Sequence, residues 1–113
     1  MKNGLYSLRI TMLDGLTGGD GGVMVLRDGI IRGGDSYLYY TGSYTFTEGR
    51  WKGELVTSEH TPSGTARPIF GGRDIGVGFT GTYDDAGAVA LATALSGKRS
   101  VRFQAVLRML VAI

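Results

Sequence analysis

Ile75-Gly76-Val77-Gly78-Phe79-Thr80-Gly81-Thr82-Tyr83 alternates large apolar residues with small or polar ones. Ile75, Val77, Phe79 and Tyr83 fall on one face of an extended chain, with Gly81 between them. The C-terminal stretch repeats the pattern: Val101, Phe103, Leu107, Met109 and Val111 share a face, with Ala105 among them. A period of two marks strands with one buried and one wet face.

Working outward from these segments, eight strands are expected: Leu5 to Leu13, Val23 to Arg27, Ile30 to Arg32, Tyr37 to Thr47, Trp51 to Glu59, Ile75 to Tyr83, Val89 to Leu95 and Val101 to Val111. Turn chemistry separates them. The turns are the Gly-rich stretch Asp14 to Gly22, Asp28-Gly29, Gly33-Gly34-Asp35, Glu48-Gly49, Asp84-Asp85-Ala86-Gly87 and Gly97-Lys98. The connection 60–74 holds both prolines and could contain a short helical turn. Ala88 to Leu95 has helical propensity, yet Val89, Leu91 and Leu95 alternate with Ala88, Ala90, Ala92 and Ala94, which favours a strand. The expected fold is all-β, a single domain over 1–113, closed as an eight-stranded antiparallel up-and-down barrel.

Composition agrees with a globular chain. Of 113 residues, 42% are hydrophobic, enough for one core without covalent staples. Glycine stands at 20 against about 8 for average usage. Gly42, Gly53, Gly76 and Gly78 lie inside expected strands, where they either bend the barrel or leave room inside it. Cysteine is absent, which excludes disulfides and thiolate chemistry and suits a reducing cytoplasm. Met1-Lys2-Asn3-Gly4 lacks the apolar core of a signal peptide, and no apolar run approaches the roughly 18 residues of a spanning helix. The net charge of +2 is too small to point to nucleic acid.

Reactive constellations are sparse. Gly76-Val77-Gly78-Phe79-Thr80-Gly81 matches G-x-G-x-x-G, but it lies within an alternating strand rather than at a strand-to-helix turn. Gly18-Gly19-Asp20, Gly33-Gly34-Asp35 and Gly71-Gly72-Arg73-Asp74 are too scattered for a calcium-binding repeat and are taken as turns. His60 is the single histidine; a triad would need it beside Ser58 or Ser63 and a distant Asp. No metal site and no cofactor are expected from one histidine and no cysteine. Asp84-Asp85 is a solvated turn. Tyr37 and Tyr39 near Arg32, and Trp51 between Arg50 and Lys52, could stack bases, although an aromatic outer face more often meets protein.

Gly4-Leu5-Tyr6-Ser7-Leu8, the Gly33-Gly34-Asp35 turn and Tyr40-Thr41-Gly42-Ser43-Tyr44 together resemble the GrlR family of small bacterial proteins, whose namesake represses type III secretion genes. The resemblance spans the chain. It implies a lipocalin-like barrel, a homodimer, an apolar cavity and a protein partner such as a transcriptional regulator. The namesake's partner loop alternates Glu and Asp, whereas the corresponding Thr47-Glu48-Gly49-Arg50 keeps only Glu48 as an acid and adds Arg50. Glu48 and Arg50 are therefore the candidate partner-binding residues, with a partner different from the namesake's.

A non-enzymatic binding protein is the expected function, with a lipid-like carrier as the alternative. A cavity for an apolar small molecule would be lined by Tyr6, Leu8, Ile10, Tyr40, Tyr44, Phe46, Phe79, Leu91 and Phe103. Leu38, Trp51, Leu55 and Leu107 complete the expected inward face, and Leu5, Leu13, Tyr37, Tyr39, Val106 and Leu110 the outer one. A homodimer would cover part of that outer face.

Overall fold

The computed structural model describes residues 1–13, 20–62 and 74–113. Eight strands run in chain order: β1 (Gly4–Met12), β2 (Asp20–Arg27), β3 (Ile30–Gly34), β4 (Leu38–Thr47), β5 (Arg50–Glu59), β6 (Ile75–Tyr83), β7 (Gly87–Ser96) and β8 (Arg99–Ala112). Each pairs antiparallel with the next, and β8 pairs with β1 to close the barrel. No helix occurs among the described residues. The short helical turn, Ser63 and the Gly18-Gly19 and Gly71-Gly72 motifs lie outside those residues.

Two hairpins explain the tight closure at one end. Asp28 and Gly29 have φ of 50° and 83°, and Glu48 and Gly49 have 51° and 81°. Two successive positive φ values give a type I′ turn, whose twist matches that of the flanking strands. Both turns lie at the end of the barrel that also holds the N-terminal residues. Asn3 Nδ2 donates to Asp28 Oδ1 at 3.0 Å, and the Asp28 amide donates back to Asn3 Oδ1 at 3.1 Å. Tyr6 Oη donates to the Lys2 carbonyl at 2.6 Å. The first three residues are thus pinned across this end.

The interior follows from pairing, because cross-strand partners share a face. Ala92 pairs with Phe79 on one side and Phe103 on the other. Both rings are buried, so Ala92 is inward, and with it Ala88, Ala90 and Ala94. The expectation for β7 is therefore reversed: Leu91 is 51% exposed and does not line the interior. A leucine between two phenylalanines would overfill the row; alanine leaves the space the rings use.

A second reversal occurs in β8. Tyr6 pairs with Met109 and Leu5 with Val111, so Leu110 is an extra residue on β8. This bulge turns Val111 outward, where it is exposed. Tyr37 precedes β4 and packs against the core rather than lying on the outer face. The core also includes Met24, Leu26 and Ile31 from β2 and β3.

Close strand approach explains several glycines. A Cβ on Gly53 would collide with the Ser43 carbonyl, and one on Gly81 with the Val89 carbonyl. These inward glycines mark where the sheet coils most tightly. Gly76 and Gly78 differ: they point outward, and a Cβ on either would meet nothing within 4 Å.

Candidate functional site

Three regions could carry function: the interior, the mouth opposite the pinned end, and the outer face of β5 to β8. Inside, Tyr6, Leu8, Tyr40, Tyr44, Phe79 and Phe103 are buried, and Ile10 is half-buried against them. Rings fill the pinned end. Trp51 and Phe79 have centroids 4.6 Å apart, and Tyr44 meets Trp51 edge-on at 6.1 Å. Phe46 lies at the rim, 44% exposed, against Tyr44 and Tyr83. Among the described residues, two buried hydroxyls have no hydrogen-bond partner, Tyr44 Oη and Thr57 Oγ1. Burial pushes the Tyr44 phenol up, the Gly29 backbone offsets part of this, and nearby Asp28 adds to the rise.

The mouth holds a polar cluster around Asp35. Its Oδ1 accepts from the amides of Tyr37 and Leu38, both at 2.8 Å, and its Oδ2 accepts from Tyr40 Oη at 2.8 Å. Burial, and then the bond to Asp35, hold the Tyr40 phenol far above its ordinary range. At neutral pH it donates and cannot serve as a base. His60 Nε2 is 2.9 Å from the main-chain carbonyl of Asp35, and Nδ1 is 2.7 Å from Thr61 Oγ1. A carbonyl oxygen only accepts, so Nε2 carries a proton there. A triad histidine would be oriented by a carboxylate with its other nitrogen on a nucleophile. Here the ring ties the β3–β4 turn to the end of β5. Asp84 is likewise used in its turn, with Oδ1 accepting from the amides of Ala86 and Gly87. No group of three His, Asp or Glu gathers among the described residues.

The third region is the outer face. Val56, Val89, Leu91, Leu95 and Val106 are exposed there, Leu95 at 63%. One groove runs past Thr41, Glu54, Val56, Gly76, Gly78 and Leu95. A second follows Phe46, Glu48, Arg50, Lys52, Val89 and Leu91. Four residues expected to serve separate roles, Phe46 and Leu91 in a cavity and Glu48 and Arg50 on a partner, thus border the same outer groove. Glu48 sits at the tip of its hairpin and Arg50 starts β5, both exposed. No family model matches this chain, and no curated protein matches it.

Sequence reasoning missed the outer β7 ridge because it put the larger residues inward. The available signal was pairing: once β6 and β8 are registered by Phe79 and Phe103, Ala92 must share their face. No helix among the described residues is long and apolar enough to cross a membrane.

Proposed function

We propose that this chain is a non-enzymatic binding protein that acts through polypeptide contacts on the outer face of β5 to β8, in a regulatory role of the kind its GrlR-like segments imply. One observation carries the reading: Val56 on β5, Val89, Leu91 and Leu95 on β7 and Val106 on β8 are exposed around the small outward residues Gly76, Gly78, Thr80 and Thr82 of β6. Contiguous exposed apolar surface on a small domain marks an interaction site. Glu48, Arg50 and Lys52 border it and supply a polar rim.

Two further observations support the reading. The groups best suited to catalysis, Asp35, Tyr40 and His60, are engaged in bonds that hold the mouth together. The outward faces also carry Arg9, Arg32, Lys52, Glu54 and Arg108 at strand positions, over an apolar interior. A membrane barrel has the inverse arrangement, with charge toward lipid costing about 2–4 kcal/mol per Lys or Arg at the midplane. An aqueous cytoplasmic setting fits that pattern and the absence of cysteine.

A benzophenone side chain at position 95 tests the reading. On irradiation in the producing cell it is expected to give covalent adducts with polypeptide, whereas the same group at position 32, across the barrel, gives none. Absence of adducts from position 95 would overturn it.

A cavity ligand remains the second reading, favoured by the orphan hydroxyls of Tyr44 and Thr57 inside an apolar barrel. Native mass spectrometry is then expected to reveal a bound apolar molecule with a hydrogen-bonding group. A bare chain that takes up no fatty acid or apolar dye would contradict it.

A further inference from the structure

The outward residues of β8, β1, β2 and β3 form a surface of different character. Pairing sets Val111, Leu5, Val25 and Arg32 in one row across these strands, and Arg108, Ser7, Val23 and Gly34 in the next. Arg9 stands two residues beyond Ser7 on β1, and Arg27 two residues beyond Val25 on β2. Leu5, Val23, Val25 and Val111 therefore make an aliphatic centre with arginines on every side. Val23 is 45% exposed, Val111 59%, and all four arginines are exposed. Strands about 4.8 Å apart, with outward residues about 7 Å apart along each, give the patch an extent of about 15 by 20 Å.

Its charge has one sign. No outward position of these four strands is acidic among the described residues. Arg27 is partly offset by Asp28 in the adjoining turn, 3.9 Å away. Arg32 Nη1 donates to the Ile31 carbonyl at 2.7 Å, which lays the guanidinium along its own strand and leaves its remaining N–H groups to face outward.

We propose that this face binds the surface of an anionic lipid bilayer, with the barrel lying on the membrane and not across it. A bilayer interface places phosphate and carboxylate groups just above hydrocarbon. Aliphatic side chains ringed by guanidinium groups match that layering, because arginine stems cover apolar surface while their heads stay among polar groups. The cations surround the patch on all sides, which suits a plane of negative charge better than a line of phosphates. Single-stranded nucleic acid also needs rings for its bases, and Tyr39 lies at the margin, beyond Gly34. A rigid protein meets a convex barrel along a line, whereas a fluid headgroup layer follows the curve. Near an anionic surface each arginine strengthens binding about fivefold, so Arg9, Arg32 and Arg108 together supply roughly a hundredfold. Binding of that size is reversible and sensitive to salt. The inference uses a different patch from the polypeptide contact on β5 to β8 and does not depend on it.

Vesicle sedimentation with the full chain tests the proposal. The parent is expected to pellet at low salt with vesicles of phosphatidylserine and phosphatidylcholine, to stay in solution with phosphatidylcholine alone, and to be released at about 0.5 M salt. The double variant Arg9→Gln, Arg108→Gln is expected to bind at least tenfold more weakly. Val23→Asp, with circular dichroism and melting like the parent, should lose at least as much by placing an acid in the aliphatic centre. Lys98→Gln removes a cation from the β7–β8 turn, away from the patch, and is expected to bind like the parent. A parent that does not pellet with anionic vesicles at low salt, or that pellets equally with phosphatidylcholine alone, would overturn the proposal. So would a Lys98→Gln loss as large as that of the arginine variant, which would reduce the effect to net charge. Tighter binding to oligothymidylate or to polyglutamate than to the vesicles at the same salt would overturn it in favour of nucleic acid or acidic polypeptide. Cross-linking from position 95 reports the other face, so the two readings stand or fall separately.

Discussion

Trp51 Nε1 donates to the Val89 carbonyl at 3.1 Å, and Gly81 lies between them as the cross-strand neighbour of both Trp51 and Ala90. The indole can cross β6 only because residue 81 has no side chain. A Cβ there would collide with the carbonyl that Trp51 uses. Gly81→Ala is therefore expected to destabilise by about 2–4 kcal/mol, combining backbone displacement with loss of a buried hydrogen bond. Gly78→Ala, where the added carbon meets nothing, is expected to be neutral or to stabilise by about 0.5–1 kcal/mol. Urea denaturation of the two variants under conditions that keep the chain monomeric separates these outcomes.

Asp35 organises the mouth through one carboxylate that accepts three bonds. Tyr40→Phe removes one of them and is expected to cost about 1.5–3 kcal/mol, the usual range for a hydrogen bond to a charged group. Asp35→Ala also strands the amides of Tyr37 and Leu38, so its cost should exceed that of Tyr40→Phe. Equal effects in thermal melts would contradict the arrangement.

Alkaline pH should unfold the protein through its phenols. Burial raises Tyr6, Tyr40 and Tyr44 above the ordinary value of 10.0, in Tyr40 with help from Asp35. A raised folded-state value means the neutral phenol is favoured in the fold. That stability is fully present below pH 10 and falls as pH climbs through 10 toward the folded values. Melting temperature is expected to be insensitive to phenol ionisation near pH 8 and to drop above pH 10. The drop should be shallower in Tyr40→Phe.

Thr57 Oγ1 is buried without a partner, which costs about 1–3 kcal/mol relative to an apolar atom. Thr57→Val keeps the shape and removes that cost, so a gain of about 1 kcal/mol is expected in denaturant unfolding. If a bound molecule satisfies the hydroxyl instead, the substitution will lower stability and weaken retention of that molecule in native mass spectrometry.

The barrel was legible because β6 and β8 alternate strongly and because Asp28-Gly29 and Glu48-Gly49 are turn dipeptides with only one good solution. Where both faces carry apolar residues, alternation loses its meaning. Leu91 was expected inside for that reason, and Val23 to Leu26 gave no face at all, leaving Met24 and Leu26 out of the expected core. In those strands the side-chain direction comes from pairing with phenylalanines far away in sequence, which single-strand periodicity does not contain. The bulge at Leu110 is likewise set by closure onto Leu5 and Tyr6. The mouth cluster joins Asp35 to His60 through a main-chain carbonyl, and residue type alone does not reveal such a contact. Glu48 and Arg50 were singled out as surface charges, and their nearness to Leu91 emerges only from the curl of β5 against β7.

A methyl-resolved NMR dilution series measures the contact face most directly. From millimolar to low micromolar chain, the methyl signals of Val56, Val89, Leu91 and Leu95 are expected to move together with concentration, while Val23 and Ile30 on β2 and β3 stay fixed. Signals that move on β2 and β3 instead, or that are unchanged while position 95 also gives no adducts, would contradict it.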